Sequence, residues 1–463
     1  MRFSAIAATL VALALSAAAH AGPPEGEFAV EKDSFGPVVR INVDKIKDWS
    51  KVPGVKQCIV VPPAPGETVP SHAVISNMKD VDGDGRIDLF CWLIEKPFSQ
   101  VARFDSGGRQ VWISERLGPG SGDESGMPIV DLDGDGKYEL VLSQWAALYC
   151  LDAGTGKIKW KKDHVQGGKP GPGSWDYPMV VGHFADKKKL AVVVRAGLKM
   201  HCFGPDGAEL WTCPLTGDTY GHALVRGDVN GDGWDEIISS RTGMTEALTH
   251  DGKTLWNDGT QKNHSDNVAI GDFDGDGRAE VVYDHDGCGG AGPLYVVDAT
   301  TGRLKFSIDY RKDGMRHCQG FTCADFNRDT PGLELAVTDK ARPLLLYDAR
   351  GKLLFKRDTP TSLVTKADWD GDGVQDILVF AIGVNLDPIW SVWNGRGQRL
   401  YAMSLLPSPT RSHATMCGPG LGFDGYGDLD GNGRADVLMA FGPWKTGRPQ
   451  YLLLMEAPAP AAK

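Results

Sequence analysis

Residues 80–88 read DVDGDGRID, and this acidic, glycine-containing loop decides the fold because it recurs about every 50 residues along the chain. Further copies start at Asp131 (DLDGDGKYE), Asp228 (DVNGDGWDE), Asp272 (DFDGDGRAE), Asp325 (DFNRDTPGLE), Asp368 (DWDGDGVQD) and Asp428 (DLDGNGRAD). An eighth copy around His183, GHFADKKKLAVVV, keeps the apolar flanks but has lost the acidic side chains. Such regular repetition indicates one structural unit per loop.

Short apolar runs flank each loop, such as MPIV before and ELVLS after the second copy. Farther along each unit lies a hairpin signature with a glycine turn, such as LYCLDAGTGKIKW or LYVVDATTGRLKF. Each unit therefore contains four antiparallel strands, which is the composition of a propeller blade. The loop count predicts an all-β, eight-bladed β-propeller, with seven blades as the alternative if the degenerate unit is not a blade.

The last unit lacks its final strand, because the chain ends soon after QYLLLME. Residues 28–43, which include PVVRINV, form a strand candidate without a blade of its own. We expect this segment to close the ring by completing the eighth blade, which hides strand edges. The single propeller domain then covers residues 22–455, and residues 456–463 form a disordered tail.

The N-terminus predicts export. Residues 1–21 contain Arg2, a short apolar run and an A-x-A cleavage site ending at Ala21, which together are typical of a signal peptide. We therefore expect a secreted or periplasmic monomer without a membrane span. The net charge of -11 argues against nucleic acid as a partner.

Nine cysteines are too few for a disulfide scaffold. Their pairing stays open, and Cys91, Cys150 and Cys202 are expected to be buried small hydrophobic residues.

The acidic loops predict several calcium sites. Oxygen atoms at loop positions 1, 3, 5 and 9 converge when glycine at position 6 allows a sharp turn, and hard oxygen ligands suit calcium. The ions are expected to be structural, because clustered carboxylates repel one another without a cation. The candidate ligands are Asp80, Asp82, Asp84, Asp88, Asp131, Asp133, Asp135, Glu139, Asp228, Asn230, Asp232, Glu236, Asp272, Asp274, Asp276, Glu280, Asp325, Asn327, Asp329, Glu334, Asp368, Asp370, Asp372, Asp376, Asp428, Asp430, Asn432 and Asp436.

A second register lies eight residues before each loop, where the first strand of each blade is expected to begin near the central axis on the opposite face. Its occupants are His72, Asp123, Trp175, Tyr220, His264, His317, Pro360 and Gly420. His222 lies two residues after Tyr220, and Arg316 directly precedes His317. The connections between second and third strands bring Arg241 and His285 to the same face. Aromatic rings can stack on sugars and arginine pairs with carboxylate, so this face suits an acidic carbohydrate.

More ordinary interpretations stand beside this one. A histidine near the axis can simply hydrogen-bond strand ends, and Trp112, Trp160, Trp211 and Trp256 are expected to pack between blades. The chain lacks the sequence signatures of a Ser-His-Asp triad, a P-loop or an HExxH metalloprotease.

Two strings carry a family resemblance: NHSDNVAIGDFDGDGRAEVVY from Asn263 and HCQGFTCADFNRDTPGLELAV from His317. They resemble consecutive blades of the rhamnogalacturonan lyases of polysaccharide lyase family 11, whose calcium-rich propeller has eight blades. The resemblance implies β-elimination at a galacturonate. It places His264 and His317 at the site with Asn263 and Asn267 nearby, Arg316 and Arg241 as candidates for the substrate carboxylate, and Tyr220 or a histidine as the base.

The chain departs from that family in two respects. The family's G-H-G-D-type segment reads RHCQG here, and no counterpart of the N-terminal β-domain is recognised. The alternative function is therefore a non-catalytic propeller of the FG-GAP/VCBS repeat type that binds glycan or protein.

Overall fold

The computed structural model describes residues 23–61, 72–95, 98–118, 126–144, 147–163, 178–196, 198–216, 223–260, 265, 267–284, 292–339, 343–381, 387–406, 415–416, 426–428, 431–441 and 450–458. The N-terminal strands are β1 (Phe28–Asp33), β2 (Gly36–Asn42) and β3 (Val55–Val61), with a 3-10 helix at Trp49–Lys51.

Blades 1 to 4 follow in chain order. Their strands are β4 (His72–Lys79), β5 (Asp88–Glu95), β6 (Phe98–Phe104), β7 (Gln110–Ile113); β8 (Ile129–Val130), β9 (Glu139–Ser143), β10 (Ala147–Asp152), β11 (Ile158–Asp163); β12 (Met179–Gly182), β13 (Ala191–Arg195), β14 (Lys199–Phe203), β15 (Glu209–Pro214); and β16 (Ala223–Gly227), β17 (Glu236–Arg241), β18 (Met244–Leu248), β19 (Thr254–Asp258).

Blades 5 to 8 continue the pattern, with a second 3-10 helix at Tyr310–Asp313. Their strands are β20 (Val268–Gly271), β21 (Glu280–Asp284), β22 (Leu294–Asp298), β23 (Leu304–Ile308); β24 (Gly320–Ala324), β25 (Glu334–Thr338), β26 (Leu344–Tyr347), β27 (Leu353–Arg357); β28 (Leu363–Ala367), β29 (Asp376–Phe380), β30 (Trp390–Trp393), β31 (Arg399–Leu406); and β32 (Thr415–Met416), β33 (Tyr426–Gly427), β34 (Asp436–Phe441), β35 (Gln450–Met455).

These strands form eight antiparallel sheets arranged as a ring, so the predicted eight-bladed propeller is confirmed. The first strands of neighbouring blades contact each other, for example β16 with β20 and β20 with β24, and β34 contacts β4 where the ring closes. The degenerate third unit is a complete blade of β12 to β15, so the seven-blade alternative is wrong. In each blade the loop at the position of the acidic repeat joins the first and second strands, and the connection from second to third strand emerges at the opposite end. In blade 8, β32 and β33 both pair with β34 and together take the place of the first strand.

Burial explains the strand patterns. Second strands such as β9 and β21 are buried at every residue because neighbouring blades cover both faces. The outer strand β11 alternates between partly buried and exposed residues, as expected when one face meets solvent.

The predicted packing of tryptophans between blades is confirmed. Trp112 of blade 1 lies against the Gly156 turn of blade 2, where an added Cβ would approach its ring to 2.6 Å. Trp160 and Trp256 repeat this contact on Gly207 and Gly302. Gly156 has a φ of +72°, so the turn needs glycine for its backbone and for the close ring. Each such pair locks one blade to the next.

The ring is closed by β3, not by residues 28–43 as the sequence suggested. β3 pairs antiparallel with β35, from Val55 opposite Met455 to Val61 opposite Gln450, and supplies the missing strand of blade 8. β1 and β2 instead extend the outer edge of blade 7, where β2 runs parallel to β31. The N-terminal segment therefore spans two blades.

Side-chain contacts explain why the β1–β2 hairpin prefers blade 7. The guanidinium group of Arg399 donates to both carboxylate oxygens of Asp33, at 2.6 and 2.7 Å. Phe35 packs edge-on against Trp393. The Tyr401 hydroxyl then donates to the Pro53 carbonyl at 2.6 Å, directing the chain from blade 7 into β3.

Within the described residues, seven cysteines have free thiols, and Cys91, Cys150 and Cys202 are buried as expected. No helix in the described part of the chain is long and apolar enough to cross a membrane. The predicted signal peptide, residues 1–21, lies outside the described residues.

Candidate functional site

The acidic loops share one local geometry. In the first loop the Asp80 carboxylate accepts the amide N–H groups of Gly83 and Gly85, at 2.8 and 3.0 Å. Both glycines have positive φ values, of 73° and 79°, so they allow the sharp turn that the sequence predicted. The same bonds recur at Asp131, Asp272 and Asp368.

Among the described residues, three carboxylates converge in four of the loops so that one oxygen from each lies within 4.8 Å of the others. The sets are Asp80, Asp82 and Asp88; Asp131, Asp133 and Glu139; Asp272, Asp274 and Asp276; and Asp368, Asp370 and Asp376. These clusters could bind a metal ion. Asp430 lies outside the described residues.

Several loops already contain a basic side chain that the sequence analysis missed. In blade 5 the Lys305 ammonium lies 2.9 Å from an Asp274 oxygen and also contacts Glu280. In blade 2 Lys159 lies 2.6 Å from Glu139. Both lysines directly precede the aromatic residue of the outer strand, in KIKW and RLKF, and that position is the signal that could have revealed them.

The acidic loop of blade 7, residues 368–376, is called loop 7 here, and the other loops are likewise numbered by their blades. Loop 7 has no such lysine, because the equivalent position in β31 is Leu400. Burial, with the nearby Asp370 and Asp372 carboxylates, raises the pKa of Asp376 to about 8. A buried carboxylate with acidic neighbours is stabilised by a divalent cation. The residues of loop 7 therefore fit calcium.

Blade 3 shows what can replace an acidic loop. Lys187 donates to the Asp232 carbonyl in blade 4, and its ammonium lies 5.2 Å from the centre of the Trp234 ring. The His183 amide donates to Asp235 at 2.7 Å. Lys187 and His183 of the degenerate loop thus connect blade 3 to blade 4.

On the opposite face, the structure describes only part of the predicted site. His72 is the first residue of β4, in agreement with the register argument. Of the residues predicted for this site, the structure describes the side chains of Asn267, Arg316, His317 and Arg241. The predicted residues Asp123, Trp175, Tyr220, His222, Asn263, His264 and His285 lie outside the described residues.

The structure brings Asn267 and His317 into one region, on neighbouring blades. The Asn267 side-chain amide donates to the Gln319 carbonyl at 2.9 Å, two residues after His317. His317 is buried, with 7% of its surface exposed, whereas Arg316 beside it is exposed. His317 could therefore line the inside of an anion-binding cleft, and the exposed guanidinium group of Arg316 could lie at its entrance.

Arg241 is fully buried and has protein partners. It contacts Glu246, on the neighbouring strand, through a short ion pair of 2.5 Å, and it also donates to the Thr216 carbonyl. The structure therefore gives Arg241 a role in holding blade 4 together. Its contact with a substrate carboxylate stays a prediction.

The Arg241→Met variant should lower the free energy of unfolding by about 3–5 kcal/mol, because Glu246 would keep a buried, uncompensated charge. Replacing both residues, as Arg241→Met with Glu246→Leu, should recover most of that loss. The matched control is Arg396→Met, which breaks an ion pair with Asp329 that is 68% exposed on both sides and should cost less than about 1 kcal/mol. Denaturant unfolding of the three variants measures the difference. Equal losses for Arg241→Met and Arg396→Met would contradict the buried-pair interpretation.

Sequence reasoning also missed two buried carboxylates on this face, Asp284 and Asp339. They lie four and five residues after Glu280 and Glu334, the acidic residues that begin β21 and β25. The sequence analysis considered only the positions eight residues before each loop. Positions four and five residues after the acidic residue that begins each second strand would have included Asp284 and Asp339.

Two parts of the chain match models of known protein families. Residues 215–439 match the profile of rhamnogalacturonan lyase family 11, C-terminal domain. This part of the chain is therefore similar to the C-terminal domain of the family 11 rhamnogalacturonan lyases. Residues 80–142 match the FG-GAP-like repeat. The resemblance inferred from the sequence is thus confirmed.

Among curated proteins, the rhamnogalacturonan endolyase YesW of Bacillus subtilis (strain 168) is 28% identical over 269 residues. That alignment covers 58% of this chain but only 38% of YesW, so the chain matches well under half of that relative's length.

Solved structures support the fold. The exotype rhamnogalacturonan lyase YesX superposes with a TM-score of 0.60 at 17% identity, covering 87% of this chain and 74% of YesX. A family 11 lyase of Bacillus licheniformis also gives 0.60 at 17% identity, over 91% of this chain and 78% of that one. A V. cholerae biofilm matrix protein gives 0.58 at 13% identity, over 88% and 91%. One fold therefore serves lyases and a matrix protein, and function must be argued from the site.

Proposed function

We propose that this chain is a secreted, calcium-stabilised propeller that cleaves rhamnogalacturonan or another acidic polysaccharide by β-elimination. The observation that carries the proposal is the match of residues 215–439 to the lyase family. That stretch contains His317, Arg316 and Asn267, which lie together on the face opposite the acidic loops. The homologous lyases suggest a polysaccharide substrate.

The proposed reaction needs a base and a group that neutralises the uronate. A base removes the proton from C5, the electron pair forms the C4–C5 double bond, and the bond from C4 to the linking oxygen breaks. That oxygen then takes a proton, leaving an unsaturated uronate. His317, His264 or Tyr220 serves as the base, because imidazole and phenol can exchange protons.

Substrate binding is assigned to the remaining predicted residues. Arg316 is exposed and positioned to pair with the substrate carboxylate, with Arg241 as the second candidate. His72, Asp123, Trp175, His222, Asn263, Asn267 and His285 complete the proposed surface. Calcium, when bound in the acidic loops, would neutralise the loop carboxylates on the face opposite the substrate.

The test is to incubate the protein with rhamnogalacturonan and other uronate polymers and to follow the ultraviolet absorbance of the unsaturated product. The His317→Ala variant should lose activity by about 10²- to 10⁴-fold, the usual contribution of an acid–base group. His250→Ala is the control, because His250 stacks on Trp234 on the loop face. The absence of product with every uronate polymer would refute the proposal.

The match of residues 80–142 to the FG-GAP-like repeat favours the second candidate, a non-catalytic propeller that binds glycan or protein. This alternative predicts retention of the protein on immobilised acidic polysaccharide without formation of product. Binding together with product formation excludes it.

A further inference from the structure

In four blades the residues at the end of the second strand, or directly after it, are polar and lie on the proposed active face. Four and five residues after the carboxylate that begins the strand lie Ser143 and Gln144 in blade 2, Ser240 and Arg241 in blade 4, and Thr338 and Asp339 in blade 6. In blade 5 the first of these positions is Asp284. Among the described residues, only blades 5 and 6 place a carboxylate there, and these are the blades that carry Asn267 and His317.

Asp284 is fully buried at the end of β21 and holds the chain that enters β20. One of its oxygens accepts the Ser265 hydroxyl and the Asn267 amide N–H, each at 3.0 Å. Ser265 is itself fully buried. Because a buried charge is costly without hydrogen bonds, these contacts fix the positions of Ser265 and Asn267 relative to β21.

Asp339 plays the same role in blade 6. Its carboxylate accepts the Arg316 amide N–H at 2.8 Å. Its own main chain is held by Thr361, whose hydroxyl donates to the Asp339 carbonyl at 3.0 Å. Asp339 thereby connects the start of blade 7 to the residue that precedes His317.

The two carboxylates act on either side of His317. Asp339 holds Arg316, one residue before it. Asp284 holds Asn267, whose side chain binds the Gln319 carbonyl two residues after it. The Gln319 amide in turn donates to the Thr338 carbonyl at 2.9 Å. The backbone of residues 316–319 is therefore fixed at both ends by buried groups.

We propose that Asp284 and Asp339 are positioning residues, which hold Ser265, Asn267 and residues 316–319 so that His317 and Arg316 meet an acidic sugar in the reactive geometry. This inference rests on the proposed lyase function. Neither carboxylate needs to touch the substrate.

The test compares Asp339→Ala with Asp339→Asn. The alanine variant removes the acceptor of the Arg316 N–H and should lower kcat about 100-fold, the loss expected when a catalytic group shifts by about 1 Å, while KM changes less than about threefold. Asparagine keeps a side-chain oxygen acceptor and should restore most of kcat. A merely structural role would not give this split between kcat and KM, nor this rescue.

Gln144→Ala is the matched control, because Gln144 occupies the same register in blade 2 and is also fully buried. It should leave kcat within about twofold of wild type. If Asp339→Ala does not fold, Thr361→Val decides instead, because it releases the Asp339 main chain without removing a charge, and it should lower kcat about tenfold.

The outcomes separate the two proposals. A wild-type protein that cleaves no uronate polymer overturns the lyase function, and this inference with it. An active wild type with a folded Asp339→Ala variant of unchanged kcat, or with a change in KM alone, overturns the positioning role and leaves the lyase function standing.

Discussion

Treatment with a chelator is expected to lower the melting temperature by more than about 10 °C, because the proposed calcium ions would be removed from the acidic loops. Four loops bring three carboxylates together, and a site filled at 100 times its dissociation constant contributes about 2.7 kcal/mol. Four such sites contribute about 11 kcal/mol, which is comparable with the whole stability of a typical domain. About 1 kcal/mol corresponds to 2–4 °C in domains of this order of size. Thermal melts with calcium and with chelator measure the shift.

Loop 7 should account for a large share of this effect, because it lacks the lysine that loops 2 and 5 hold. The Asp376→Asn variant should lower the melting temperature in calcium and should also shrink the chelator-induced shift. Asp348→Asn is the control: Asp348 accepts backbone N–H groups in an ordinary hairpin turn, and asparagine can keep those bonds. A melt that does not respond to chelator would contradict structural calcium.

A chain that begins after β3, at residue 62, should fail to give a folded monomer. The loss of β3 would expose the edge of β35 and uncover buried Leu452 and Leu438, which pack with Ile59 and Val61. The ring would then be open, with unpaired strand edges that favour aggregation. Size-exclusion chromatography and circular dichroism of the truncated protein measure the result.

A chain that begins at residue 45 keeps β3 and loses only β1 and β2. It should fold as a monomer with a lowered melting temperature, because only the outer edge of blade 7 is shortened. If the two truncations behave alike, β3 is not the closing strand. The opposite order, with the shorter truncation more damaging, would return that role to residues 28–43.

In the proposed function, the two faces of the ring have different tasks. The loop face holds acidic clusters, internal lysines and, in blade 3, a lysine and tryptophan contact in place of an acidic loop. The opposite face carries His317, Arg316 and the buried carboxylates that hold them. Changes to the loops should therefore act first on stability, and changes at the ends of β21 and β25 on activity.

The sequence by itself determined the type of the blades and predicted eight of them, and the structure removed the seven-blade alternative by showing that the third unit is complete. Loop geometry depends on residues within one loop, as when Asp80 accepts the N–H groups of Gly83 and Gly85, and local interactions repeat wherever the motif repeats. The packing of Trp112 between blades was also predicted, because four units carry a tryptophan at this position, whereas its fit to Gly156 of the next blade was seen only in the structure. The register counted from the loops likewise found His317.

Only the tertiary structure decided which segment closes the ring. Residues 28–43 and Val55–Val61 are both short and β-rich, and either could serve as an edge strand. The choice depends on contacts between residues more than 300 positions apart, such as Arg399 with Asp33 and Tyr401 with Pro53. The contact of the Asn267 side chain with the Gln319 carbonyl also depends on the folded ring, because it joins two neighbouring blades. Local pattern specifies repeated units, whereas closure and the support of the site depend on which distant edges and buried groups fit together.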